Sequence, residues 1–178
     1  SRDETEDVDI YDQGHPWSPI AHYDVKRIIT VDHSQSVAVA ARTGVTFVHY
    51  DEQNVLRSNV VEIATGVRIL DMELWSPSSE VNQNFVILGT TQGVRVHQLQ
   101  DLGDGLASMA RQPLQTLGDG NFTSVARLGS SDSSTAPFLA VNDQGVPLSF
   151  TIQWGDSPSV SLGSAPSGLE AAIAEHPG

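Results

Sequence analysis

Apolar and polar positions along the chain fall into three stretches that can be laid on one another. They are VAVAARTGVTFVHY from Val37, VILGTTQGVRVHQL from Val86 and FLAVNDQGVPLSFT from Phe138. Each is an apolar run, a short polar step, a glycine and a second run of alternating character. In the first copy Val45, Phe47 and His49 share one face, with Thr46 and Val48 opposed; in the second, Val94, Val96 and Gln98 oppose Arg95 and His97. A side-chain period of two marks a β-strand. Gly44, Gly93 and Gly145 stand where two strands must reverse, and a turn glycine can take positive φ without a Cβ clash. Each copy therefore predicts a hairpin.

A further strand is expected before each hairpin, at 27–32, 69–75 and 122–128. A fourth is expected after it, at 60–64, 113–117 and 159–162. The first unit turns tightly through Asp32-His33-Ser34-Gln35, whereas the others need longer connections at 76–84 and 129–136. Each unit then reads as a four-stranded antiparallel sheet. The turn glycines recur about every 50 residues, close to the period of a propeller blade.

The stretch from Val25 to Asn54, VKRIITVDHSQSVAVAARTGVTFVHYDEQN, resembles a WD-repeat blade of a β-propeller. In that family a strand, a turn with Asp, a second strand, a glycine turn and a third strand ending in an aromatic-Asp pair follow in this order. Here His49-Tyr50-Asp51 takes the place of the terminal Trp-Asp. Gln98-Leu99 and Thr151-Ile152 stand there in the other copies, and no Gly-His dipeptide opens any blade. The resemblance covers three degenerate blades over residues 25–163. It implies an all-β fold and a role in scaffolding protein–protein contacts. A β-sandwich or barrel also repeats strands and turns at short intervals, and is the alternative fold.

Propellers close with ~4–8 blades, and three leave two end faces uncovered. The remedies are a longer chain, a second copy, or a partner that completes the ring. A first residue of Ser1 rather than Met is read as favouring a processed product or a fragment.

The expected organisation is an acidic then proline-rich segment over 1–19, a propeller-like domain over 20–163 with blades near 20–66, 67–118 and 119–163, and a tail over 164–178. Asp3, Glu4, Glu6, Asp7, Asp9 and Asp12 make the start a solvated acidic run. Trp17 between two prolines is expected to anchor that segment, and residues 169–175 to form a short helix that needs docking.

Charge narrows the partners. The net charge is −13, and Lys26 is the only lysine. Such a chain repels nucleic-acid phosphate and anionic lipid, so neither nucleic acid nor membrane is expected as a partner unless the arginines gather on one face. No apolar run is long enough to cross a bilayer. A soluble protein is expected, cytoplasmic or nuclear, with a virion as a further setting. The absence of cysteine excludes disulfides, thiolate metal sites and a cysteine nucleophile.

Chemistry is sparse. The histidines are His15, His22, His33, His49, His97 and His176, without zinc-type spacing. His22 and Asp24 share a strand face but are too few for a metal site. His49 and His97 hold neighbouring positions in different blades, and packing is the plainer reading. Asp71 and Glu73 lie two apart on one strand, a spacing compatible with a carboxylate pair; the plainer reading sets them against solvent or a neighbouring strand. Gly103-Asp104-Gly105 and Gly118-Asp119-Gly120 read as turns, and Asp101, Asp104 and Asp119 do not make a calcium loop. Asn121-Phe122-Thr123 matches a glycosylation sequon. No phosphate loop, nucleophile elbow or dinucleotide fingerprint occurs.

No catalytic, metal or cofactor-binding residue is assigned, and no cofactor is expected. The expectation is a non-catalytic interaction or assembly module with a protein partner or self-association. The alternatives are a viral or other surface or decoration subunit, and a carboxylate-dependent propeller hydrolase.

Overall fold

A computed structural model describes residues 24–129 and 134–163. The described chain is all-β: three antiparallel sheets, each built from strands consecutive in sequence. The first holds β1 (Arg27–Thr30), β2 (Val37–Ala40), β3 (Gly44–Tyr50) and β4 (Leu56–Glu62). The second holds β5 (Ile69–Trp75), β6 (Phe85–Thr90), β7 (Gly93–Asp101), β8 (Ala107–Met109) and β9 (Gln115–Leu117). The third holds β10 (Phe122–Arg127), β11 (Thr135–Asn142), β12 (Pro147–Gln153) and β13 (Ser159–Gly163). They stack as propeller-like blades. First strands lie near first strands, β1 by β5 and β5 by β10, while β4 nears β8 and β13 nears β9 at the far edge. The segment around Trp17 and the expected helix at 169–175 lie outside the described residues.

The hairpins follow the sequence pattern, and the flanking strands depart from it in two places. The last strand of the first blade was expected at 60–64 but runs Leu56–Glu62. Leu56-Arg57-Ser58-Asn59 shows no alternation, yet it completes the ladder with β3, from Tyr50 opposite Leu56 to Gly44 opposite Glu62. In the second blade the strand expected at 113–117 is only half of the edge. β8 pairs the end of β7 and β9 pairs its start. Between them Ala110 N–H donates to Gln98 O (2.8 Å) and Leu114 N–H to Val96 O (2.7 Å). Pro113 has no N–H to give the ladder, and the intervening residues leave it.

The turn glycines divide into two kinds. Gly93 (φ 90°) and Gly145 (φ 79°) adopt the expected left-handed backbone. Gly44 does not. It is a glycine because a Cβ there would stand 2.6 Å from Val61 O across the ladder. Gly93 carries both constraints, since its Cβ would also lie 2.6 Å from Leu117 O. Gly93→Ala is therefore expected to cost about 2–3 kcal/mol, from backbone strain and overpacking together, measured by urea denaturation.

Two apolar layers hold the stack. Ala38, Ala40, Val45 and Phe47 of the first sheet meet Met72, Val86 and Leu88 of the second. On the other side Trp75, Phe85, Ile87, Val94 and Val96 meet Phe138, Ala140, Phe150 and Ile152 of the third. β6 is buried at every position, with alternate residues entering opposite layers. A continuous apolar run is what a strand covered on both faces requires. The second layer is aromatic. Trp75 stacks on Phe85 (centroids 5.5 Å), Phe138 on Phe150 (5.4 Å), and Phe138 meets the Trp75 ring edge-on at 5.8 Å.

The end faces differ. Cross-strand partners share a face, so the outward side of the first sheet carries Ile28, Val39, Thr46 and Val60 in one row, with Val37, Val48, Tyr50 and Leu56 beside it. The outward side of the third sheet carries Ala126, Leu139, Ser149 and Gly163 in one row and Pro137, Thr151 and Ser161 in the next. The first end is the more aliphatic, although Thr30, Thr46 and Ser58 share it, and the other mixes Leu139, Val141 and Pro147 with small and hydroxyl side chains.

Candidate functional site

Three turns meet where the first two blades come together. The first joins β1 to β2. Val31 N–H donates to Ser36 O (2.9 Å), and the Ser34 hydroxyl donates to Val31 O (3.1 Å). The second joins β7 to β8. Gly103, Asp104 and Gly105 follow one another at φ 88°, 56° and 84°, and Asp101 opens the turn by accepting Gly103 N–H at 2.9 Å. The two turns interlock. Gly105 O accepts both Gln35 N–H (3.1 Å) and the Ser36 hydroxyl (2.7 Å). Ser36 Oγ in turn accepts Ala107 N–H at 2.8 Å. The clasp crosses from blade to blade and buries Ser36 almost completely.

The third turn joins β3 to β4 and is organised by Asp51. One of its oxygens accepts Gln53 N–H and Val55 N–H, both at 2.9 Å. The other accepts Arg57 Nε–H at 2.9 Å. These bonds, those from Val55 and the Arg57 side chain above all, hold the Asp51 carboxyl below its ordinary range. Asn142 does the same backbone work in the third blade, accepting from Gln144 and Val146.

Between these turns lies a cleft of about 430 Å³ lined by Gln35, His49, Asp51, Glu52, Gln53, Arg57, Asp104 and Gly105. His49 is its most constrained member. It is 4% exposed, and neither ring nitrogen has a hydrogen-bond partner. Glu52 and Asp104 are exposed and form no ion pair among the described residues.

The residues singled out in the sequence go to different places. Asp71 and Glu73 do not make a shared site. One Asp71 oxygen accepts Val125 N–H of β10 at 2.8 Å, and the other faces Arg27 Nη1 of β1 at 3.3 Å. Asp71 thus ties the first strands of all three blades. Glu73 folds back to accept Leu74 N–H at 3.1 Å. His97 is buried in the break between β8 and β9, its Nδ1 2.8 Å from Ala110 O. A carbonyl can only accept, so Nδ1 carries the proton and Nε2 is left buried without a partner. Burial first, and the Arg95 charge after it, lower the His97 pKa, although the Ala110 contact opposes them. Asp24 pairs with Lys26 at 2.6 Å, and His22 lies outside the described residues. Asn121 of the sequon is exposed and donates to Asp143 at 3.1 Å, but Phe122 beside it is buried. Among the described residues no cluster of three or more potential ligands is placed to hold a metal.

Sequence reasoning missed the cleft itself. Asp51 was legible only as part of an aromatic-Asp pair, and Asp104 only as a turn residue. Their common site depends on how the second blade's turn reaches the first, which no local pattern carries. No helix among the described residues is long and apolar enough to cross a membrane. Comparison with protein-family models, with curated proteins and with solved structures finds no match.

Proposed function

We propose that the chain is a non-catalytic interaction and assembly module of WD-repeat-like blades, completed by a further sheet. That sheet comes from a second copy, from a protein partner or from the rest of a longer chain. The observation that carries this reading is the outward face of the first sheet. β2 reads Val-Ala-Val-Ala, and every residue of β3 from Gly44 to His49 is buried. In β11 and β12 apolar burial falls mainly on alternate residues. Strands apolar on both sides belong inside a stack, and on that face Val39 and Val48 are buried while Ile28 (64% exposed) and Val60 (44%) beside them stand open. Apolar side chains left open at the margin of such a face mark an interaction surface. The hydrolase alternative loses its best pair, because both Asp71 oxygens are already engaged.

Light scattering tests the reading on wild type and on Ile28→Lys. A second copy as the closing sheet predicts twice the 19.1 kDa chain mass, reverting to the single mass in the variant. A monomer whose binding of an apolar dye is lost in Ile28→Lys points to a partner or to further blades. A monomer that binds no dye sinks the proposal.

A further inference from the structure

We propose that the segment before β1, anchored by Trp17, lies as a strap across the outward face of the first sheet. The inference concerns the middle of that face. It leaves the open margin, Ile28 and Val60, to the partner proposed above. Three observations lead to it.

The first is burial where an end sheet should be wet. Val39 and Thr46 are cross-strand partners on the outward side, and Val48 stands in the next row. They are 1%, 4% and 5% exposed. Among the described residues, the apolar side chains packed on Val39 and Val48 are Val37 and Leu56, both of the same sheet. Side chains on one face of a sheet stand side by side, roughly perpendicular to it, and do not close over one another. The cover therefore comes from outside the described residues, and from this chain, because the burial arises within a single copy. The second observation is the width of the cover. Ile28 and Val60, at the two ends of the row that holds Val39 and Thr46, stay open. The shielded strip is two strands wide, on the order of 10 Å at the usual strand spacing. That suits one chain laid on the face, whereas a packed sheet would cover the whole row.

The third is reach. Asp24, the first described residue, stands just before β1, and Lys26 N–H already donates to Ala40 O at 2.8 Å. Val39 lies opposite Ile28 of that same β1. From Asp24 back to Trp17 the extended chain spans up to about 25 Å, enough to cross the inner strands. Residues 130–133 and 164–178 adjoin the third sheet, with the second sheet between. The sequence suits a strap. In Gly14-His15-Pro16-Trp17-Ser18-Pro19 each proline fixes its own φ and holds the residue before it extended. Neither proline has an N–H for a ladder, so the segment crosses a face more readily than it adds a strand. Trp17 brings an indole with about 150–250 Å² to bury. A strap in this place caps the end of the stack, as a terminal repeat requires.

NMR on the full chain tests the assignment. Nuclear Overhauser contacts are expected from the Trp17 indole to the Val39 and Val48 methyls. Trp17→Ala is expected to remove them, to open both valines to a soluble paramagnetic agent, and to lower Tm by about 4–8 °C. Ile28→Lys is expected to keep the contacts, so a failure of the strap and a failure of the margin as a partner site read separately. Contacts to the valines from Leu169 or Ile173 instead would assign the cover to the other end of the chain and overturn the proposal. Contacts found only between differently labelled copies would overturn it too, in favour of a second copy. So would valine methyls that the agent reaches in wild type, or that stay shielded in Trp17→Ala.

Discussion

Asp71→Ala is expected to lower stability by about 3 kcal/mol and Tm by about 6–12 °C. The carboxylate touches the first strand of each neighbouring blade. Its side chain is 14% exposed, so the bonds it makes are poorly replaced by water. Removing it strands the Val125 N–H, which faces the second blade with no other acceptor. It also frees Arg27, though that loss is small because Arg27 is nearly half exposed. The two contributions separate by substitution. Asp71→Asn keeps an acceptor for Val125 and should cost about 1 kcal/mol, while Arg27→Ala should cost less. Guanidinium denaturation of the three variants reads this order directly. If Arg27→Ala proved as damaging as Asp71→Ala, the ion pair and not the backbone contact would be the tie.

Phe138→Ala is expected to be more damaging, at about 4 kcal/mol. Phe138 is fully buried and joins two aromatic contacts, stacking on Phe150 and meeting Trp75. Alanine leaves a void facing two rings that belong to different sheets. The layer cannot collapse around it without moving the third blade toward the second. That approach is already at its limit, since a Cβ on Gly89 would stand 2.5 Å from Phe122 O. Phe138→Leu fills part of the void and should recover roughly half of the loss. Calorimetry checks both values, and the Trp75 environment offers a second readout by fluorescence. An unchanged transition in Phe138→Ala would mean that the two sheets are held elsewhere.

The blades were legible because their signals are local. A period of two, a polar step and a glycine fix a hairpin within fifteen residues, and all three hairpins formed where the pattern put them. The outer strands were less legible because they are specified by partners. Leu56–Glu62 is a strand because β3 offers it a ladder, although its own residues carry little strand signal. Ala107–Met109 is three residues long and follows a glycine-rich turn, too short to show any period. Turn glycines illustrate the same divide. Gly93 and Gly145 answer a local demand for positive φ, whereas Gly44 answers a carbonyl seventeen residues away. The cleft lies at the far end of this scale. His49 on a strand and Asp51 and Asp104 in two turns belong to two blades, which the clasp through Ser36 joins.

The unlike end faces give the stack a direction. Copies that meet through the aliphatic face do so about a two-fold axis and consume that face in the act. What they would then show to solvent is the side of the third sheet that bears Ser149, Thr151 and Ser161. If copies pair in this way, growth by this route ends at two and fibres are avoided.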